Sequence, residues 1–239
     1  MADSDDRVLD LVARTYDAAL DQRLWQGLGP EIARTFGSTS TALRVRNLRT
    51  GYAPLLTATA NYSVENIEQY AAYYWRHDKW ANRAARLGMS RILTSADLIE
   101  DSELERSEWY EDWLRRLQIF YMVGTIFPIG SDEVCTLGIH RSRADGAYGA
   151  ADKAPVARYL PHLKRALAVR QQLAHARIGQ AATLDALERT ATATLVADRD
   201  GRLLYANGRA ERLLAMADGL GATAGRLRAA VRSASAWRR

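Results

Sequence analysis

A single cysteine, Cys135, stands in 239 residues, so no internal disulfide can staple the fold, and the chain suits a reducing compartment. No apolar run is long enough to span a bilayer, and the acidic opening from Met1 to Asp10 lacks the basic start of a signal peptide. A cytoplasmic location without a membrane partner is therefore expected. The usual traces of catalysis are missing as well: there is no phosphate-binding glycine loop, no HExxH pair and no GxSxG elbow. His77, His140, His162 and His175 fall without metal-ligand spacing, and one thiol cannot build a cysteine-rich zinc site. The pattern calls for no enzyme, cofactor or bound metal. Internal repeats are absent too.

What the chain does hold is enough apolar residue, 48%, for a real core in one large domain or a domain with an appendage. Its net charge of +5 conceals an asymmetry. Lys and Arg number 18 against 22 Asp and Glu over residues 1–157, and 15 against 6 over residues 158–239. A basic last third attracts acidic partners such as nucleic acid, but charge alone does not read sequence and no groove-reading helix is visible. An Arg-rich solvated helix face is the alternative.

Periodicity predicts helices over Asp6–Leu20 and Trp25–Phe36, the second closed by Gly37, then a hairpin of strands Ala42–Asn47 and Ala53–Ala60. Further helices are predicted over Val64–Arg76, over Lys79–Leu87 with Asp78 as cap, and from Ser102, whose spacing to Glu105 suits a capping box. Two β-rich runs follow, Ile119–Ile129 and Val134–His140, with Cys135 a buried strand residue. The predicted class is α+β, an antiparallel sheet flanked by helices, followed by a long connector helix.

That connector, Ala150–Arg189, is expected to break at Pro161, because proline lacks the helix donor. Its stripe of Leu160, Leu163, Leu167 and Leu173 is a candidate homodimer contact. Beyond it, LVADRDGRLLYANGRAERLLA at Leu195–Ala215 reads as strand, Asp200-Gly201 turn, strand and a helix opening at Asn207, the order that begins a PAS module. From Gly219 an Ala-, Gly- and Arg-rich tail is expected. The expected division is a sensing domain over 1–150, a helical connector over 151–190, and a partial PAS-like segment with a basic tail over 191–239.

Four of the six tryptophans, Trp75, Trp80, Trp109 and Trp113, gather with Tyr70, Tyr74 and Tyr110 in the helical stretches before the second pair of strands. Such rings combine apolar area with a polar edge, which suits closure over a small organic ligand; packing onto the sheet is their other use. Asp78 is either an acceptor for that ligand or a helix cap. Glu100, Asp101, Glu103, Glu105, Glu108, Glu111 and Asp112 are interleaved with Arg106, Arg115 and Arg116 and read as a solvated face rather than a metal or acid–base site.

The segments YAAYYWRHDKW (Tyr70–Trp80) and RSEWYEDWL (Arg106–Leu114), followed by PHLKRAL (Pro161–Leu167) and the PAS-like stretch, together resemble LuxR-type helix-turn-helix transcriptional regulators. The resemblance is to their N-terminal GAF-like sensor region, and it covers nearly the whole chain. It implies a cytoplasmic, dimeric regulator that senses a small molecule with its first domain and reaches promoter DNA through a four-helix module for which no room is left after Arg228. It also implies a pocket in which Tyr70, Tyr74, Trp75, Asp78, Trp80, Trp109, Tyr110 and Trp113 hold the ligand. Tyr74 and Asp78 match a spacing of the acyl-homoserine-lactone sensors, whereas Glu65, Gln69 and Lys79 depart from it. The ligand's identity is therefore left unnamed.

Overall fold

Alternate residues of the central strands face different neighbours, and this splits the interior into two cores. The computed structural model describes residues 2–229, and its contacts divide the chain into two units, Met1–Leu173 and Ala174–Arg239. The first begins with helices α1 (Ala2–Leu20) and α2 (Trp25–Thr35) and strands β1 (Ser40–Asn47) and β2 (Leu55–Ala58). Helices α3 (Val64–Ala72) and α4 (Lys79–Leu87), strand β3 (Leu93–Thr94) and short helices α5 (Ser95–Leu98) and α6 (Asp101–Glu105) follow. Long strands β4 (Tyr121–Ile129) and β5 (Glu133–Arg141) then lead to α7 (Ala150–Glu188).

The five strands form one antiparallel sheet in the order β2-β1-β5-β4-β3. Leu43 and Val45 of β1, with Cys135, Leu137 and Ile139 of β5, face a core built with Leu11, Trp25, Ile32, Tyr159 and Leu163 from α1, α2 and α7. The intervening residues, among them Arg44, Thr136 and His140, belong to the opposite face, as the two-residue period of a strand requires. That face is covered by Trp80, Leu98, Leu104, Trp109 and Trp113. The α+β expectation holds, with helices on both sides of the sheet.

Several local expectations change. Pro155 and Pro161 both lie inside α7, which is uninterrupted. An interior proline costs about 3 kcal/mol, but Val156, Tyr159, Leu160, Leu163 and Leu167 are buried around these two, and each large apolar side chain returns about 1.5–3 kcal/mol. Burial outweighs the lost donor. The same burial corrects the dimer stripe: Leu160, Leu163 and Leu167 lie in the first unit's own core, so they are not free to meet a second copy, and Leu173 is half-buried.

The helix expected over Val64–Arg76 ends at Ala72, where Tyr73 leaves helical geometry and a 3-10 turn, Tyr74–Arg76, follows. No long helix starts at Ser102. Ser107 interrupts it, since its hydroxyl donates to the Leu104 carbonyl at 2.6 Å and accepts from the Tyr110 N–H at 3.2 Å. A wide turn over Tyr110–Leu114 then sets the aromatics.

In the second unit, strands β6 (Leu195–Ala197) and β7 (Leu203–Ala206) pair around Gly201, whose φ of +73° the turn requires, and α8 (Gly208–Met216) follows. The expected tail corrects to a further hairpin, β8 (Leu220–Thr223) and β9 (Arg226–Ala229), turned at Ala224 and Gly225 with φ of +50° and +73°. The rest of the tail expectation lies outside the described residues. Apolar burial is sparse here, and the unit is organised by the Asn207 side chain. It accepts from the Thr194 and Ala210 N–H groups at 3.1 and 2.9 Å, and donates to the Leu187 and Thr192 carbonyls at 3.0 and 2.9 Å.

Candidate functional site

The site follows from the face of the sheet turned away from α7. Across β1 and β5, Ala42 pairs with Gly138 and Arg44 with Thr136, so small side chains form a floor flanked by Arg44 and His140. Gly138 is needed there, because a Cβ would sit 2.5 Å from His140 Nε2. Over this floor stand Tyr62, Tyr70, Asp78, Trp80, Trp109 and Trp113, leaving a cavity of about 100 Å³. A second hollow of about 60 Å³, with Met122, Ile126 and Leu93 in its wall, shares Asp78, Trp80, Thr136 and His140 with the first. The Trp80 and His140 rings, nearly parallel at 16° and 6.1 Å apart, thus belong to the walls of both hollows.

The roof is held by polar anchors. Asp78 caps α4, its Oδ1 accepting from the Ala81 N–H at 2.8 Å, while its Oδ2 accepts from the Tyr70 hydroxyl at 2.7 Å. Burial raises the Asp78 pKa above the usual carboxylate range, and burial followed by the neighbouring Asp78 charge raises that of Tyr70 well above a free phenol's. Trp113 donates its indole N–H to the Asn66 carbonyl at 3.1 Å and stacks obliquely on Tyr70 at 5.0 Å. Trp80 meets the Trp109 ring edge-on at 5.0 Å. The indole nitrogens of Trp80 and Trp109 are buried and have no hydrogen-bond partner. Arg44 lays its guanidinium 4.2 Å over the Tyr70 ring.

His140 lies in the wall with Nδ1 3.4 Å from the Tyr62 hydroxyl, and burial lowers its pKa to about 4. An unfolded chain protonates this ring near 6.5; below that pH the unfolded state takes up a proton that the folded state refuses, so stability is complete above 6.5 and drains away as pH falls toward 4. Between pH 6.5 and 5 the loss should be about 2 kcal/mol. Urea unfolding followed by tryptophan fluorescence checks it. His140→Gln should flatten that limb while leaving the opposing contribution of Asp78 in place; an equally steep limb in the variant would assign the proton elsewhere.

Of the eight residues expected at a pocket, Tyr70, Asp78, Trp80, Trp109 and Trp113 are brought together here. The other three stand apart. Trp75 is 38% exposed, with the Arg46 and Arg76 guanidinium groups over its ring. Tyr74 supports Trp113 at 6.0 Å from outside the lining, and Tyr110 packs edge-on against Phe120. Arg44, Tyr62, Thr136 and His140 also line the cavity, and no motif or composition signal marks them in the sequence. Strand alternation could have found three of these, since burial of Leu43, Val45, Cys135, Leu137 and Ile139 on one side leaves Arg44, Thr136 and His140 on the other.

The carboxylate-rich stretch is spent on ion pairs and hydrogen bonds: Glu103 with Lys79 and Arg83, Glu111 with Arg115, Glu105 with Arg143, and Asp101 with the Tyr121 hydroxyl. Among the described residues, no three metal-ligating side chains come together. Cys135 is fully buried in the α7-side core, where burial pushes its thiol pKa well up. An open cleft of about 380 Å³ also lies beside α4, walled by Arg76, Lys79, Arg83, Arg86 and Glu108. It is wider, and although the His77 and Trp109 rings also line it, most of its wall is charged or polar.

No family model and no curated protein matches the chain. Among solved structures, the VqsR ligand-binding domain from Pseudomonas aeruginosa superposes with a TM-score of 0.53 at 14% identity, over 68% of this chain and 95% of that one. The chain carries the fold of a LuxR-type ligand-binding domain. CepR2 from Burkholderia cenocepacia, an N-acylhomoserine-lactone-dependent LuxR-family transcription factor, aligns at a TM-score of 0.48 with 15% identity, covering 66% of this chain and 92% of that one. SdiA, solved in complex with octanoyl-rac-glycerol, aligns at 0.47 with 13% identity, covering 72% and 66%. The expected α+β fold is met, and among the described residues no helix is long and apolar enough to cross a membrane.

Proposed function

We propose that the chain is the signal-sensing region of a LuxR-type transcriptional regulator and that a small organic molecule binds between Tyr62, Tyr70, Trp80, Trp109 and Trp113 over the sheet. The observation that carries this reading is the pair of buried, unpartnered indole N–H groups, on Trp80 and Trp109, in the wall of an aromatic cavity. A buried donor left unpaired costs about 1–3 kcal/mol, which an acceptor on a ligand recovers. Aromatic walls and a few convergent polar groups are the usual makeup of a small-molecule site.

Ligand occupancy acts on α7 through β5, whose alternate residues touch the cavity at Thr136, Gly138 and His140 and the α7-side core at Cys135, Leu137 and Ile139. Such a response requires unequal affinity for two packings of that strand. Pairing with a second copy is supported by Ile178, Leu204, Leu213 and Met216, large apolar side chains exposed in the second unit. Promoter DNA, in this reading, is bound through a module outside residues 2–229.

The test is native mass spectrometry of the purified chain for oligomeric state and retained ligand, followed by thermal-shift screening against a panel of small organic compounds. At least one compound should raise the melting temperature. Ala42→Leu, which adds a branched side chain to the cavity floor, should abolish that rise while the unliganded protein still melts cooperatively. A panel without effect, and no retained mass, would leave the rings as packing and the protein as a ligand-free dimerisation scaffold.

A further inference from the structure

The geometry points to an organic anion as the occupant of the aromatic cavity: a compact ring-bearing carboxylate whose charged group is held by Arg44. This rests on the cavity being a ligand site. Among the described residues the Arg44 guanidinium makes no side-chain hydrogen bond or close ion pair, although its charge is felt by Asp78; it lies over the Tyr70 ring, and the side chain is half-buried in the cavity wall. Its five N–H donors are the natural fork for a carboxylate. Arg46, two residues on, differs in kind: it is exposed, with its guanidinium 5.5 Å from the ring of Trp75, and is absent from the cavity wall.

A count of donors and acceptors favours the same class. Arg44, Trp80 and Trp109 all line this space, and the indole N–H groups of the two tryptophans are buried without a partner. Asp78 is the wall's single carboxylate, and both its oxygens are already engaged, by Tyr70 and by the Ala81 N–H. The occupant must therefore bring acceptors, and a cation would meet Arg44 without compensation. Size sets the remaining limit. A volume of about 100 Å³, with about 60 Å³ beside it across the Trp80–His140 pair, compares with the roughly 150 Å³ cavity that accepts benzene. That space limits the occupant to at most one ring with a short acidic arm.

Calorimetry on the full chain at pH 7 with benzoate and phenylacetate, each beside its neutral amide, tests the assignment. At least one acid should bind about tenfold or more tightly than its amide, the range of one charge-assisted contact. Arg44→Gln should bring the two affinities together, Arg44→Lys should keep part of the preference, and Arg46→Gln should keep all of it. Equal binding of acid and amide by the native protein overturns the anion assignment, as does a preference that survives Arg44→Gln. If the acids fail to bind while a neutral compound from the wider panel stabilises the protein, the sensor reading stands and the anion assignment falls. If nothing binds, both fall.

Discussion

Replacing Asn207 with leucine should dismantle the second unit. The side chain is fully buried and satisfies two backbone donors and two backbone carbonyls, with the Thr190 hydroxyl as a fifth partner at 3.2 Å. Each buried polar group left unpaired costs about 1–3 kcal/mol, so with four backbone groups released a total of about 4 kcal/mol or more is expected before repacking. Little opposes that loss, because Ala210 and Gly221 are the only other fully buried described residues beyond Ala174. Hydrogen exchange should show the amides of β6, β7 and α8 unprotected in the variant while those of β4 and β5 keep native protection. Native protection throughout would mean that the hub is redundant.

Trp109→Ala should be the most damaging single change near the cavity. The ring is 2% exposed and meets Trp80 edge-on in the core that joins α4 to the sheet. Truncating a buried tryptophan costs about 3–5 kcal/mol through lost transfer energy and the void left behind. Trp75→Ala, by contrast, removes a half-exposed ring and should cost less than about 1 kcal/mol, although both tryptophans belong to the same aromatic concentration in the sequence. Urea titrations followed by circular dichroism check the pair. Equal losses would mean that Trp75 packs far more tightly than its exposure allows.

That contrast shows where the sequence stops being legible. Tyr73, Tyr74 and Trp75 are consecutive, and a short turn cannot aim three rings at one target. Their composition announces a cluster, but backbone geometry after Ala72 decides which ring enters it. Asp78 was readable as a cap because capping is a local contract between a side chain and the N–H three residues ahead, here Ala81. Its second partner, Tyr70, was not, since that bond depends on how α3 meets α4. The leucine stripe of α7 was visible at helical spacing, yet spacing shows only that an apolar face must be covered and does not say by what. In this chain the sheet and the α1–α2 layer cover it, so the stripe that suggested a partner is interior.

By itself, the sequence determined the order of the main helices and strands of the first unit, the Gly201 turn, the Asn207 helix start and the gathering of tryptophan near Asp78. These follow from interactions a few residues long, where backbone sterics, capping and periodicity act without knowledge of the fold. Only the tertiary structure decided that α7 runs through two prolines and that Arg44 and His140 share a wall with Trp80 and Trp109. Those outcomes turn on burial and on unpaired donors among residues far apart in the chain, and these energies arise only when the layers close over the sheet.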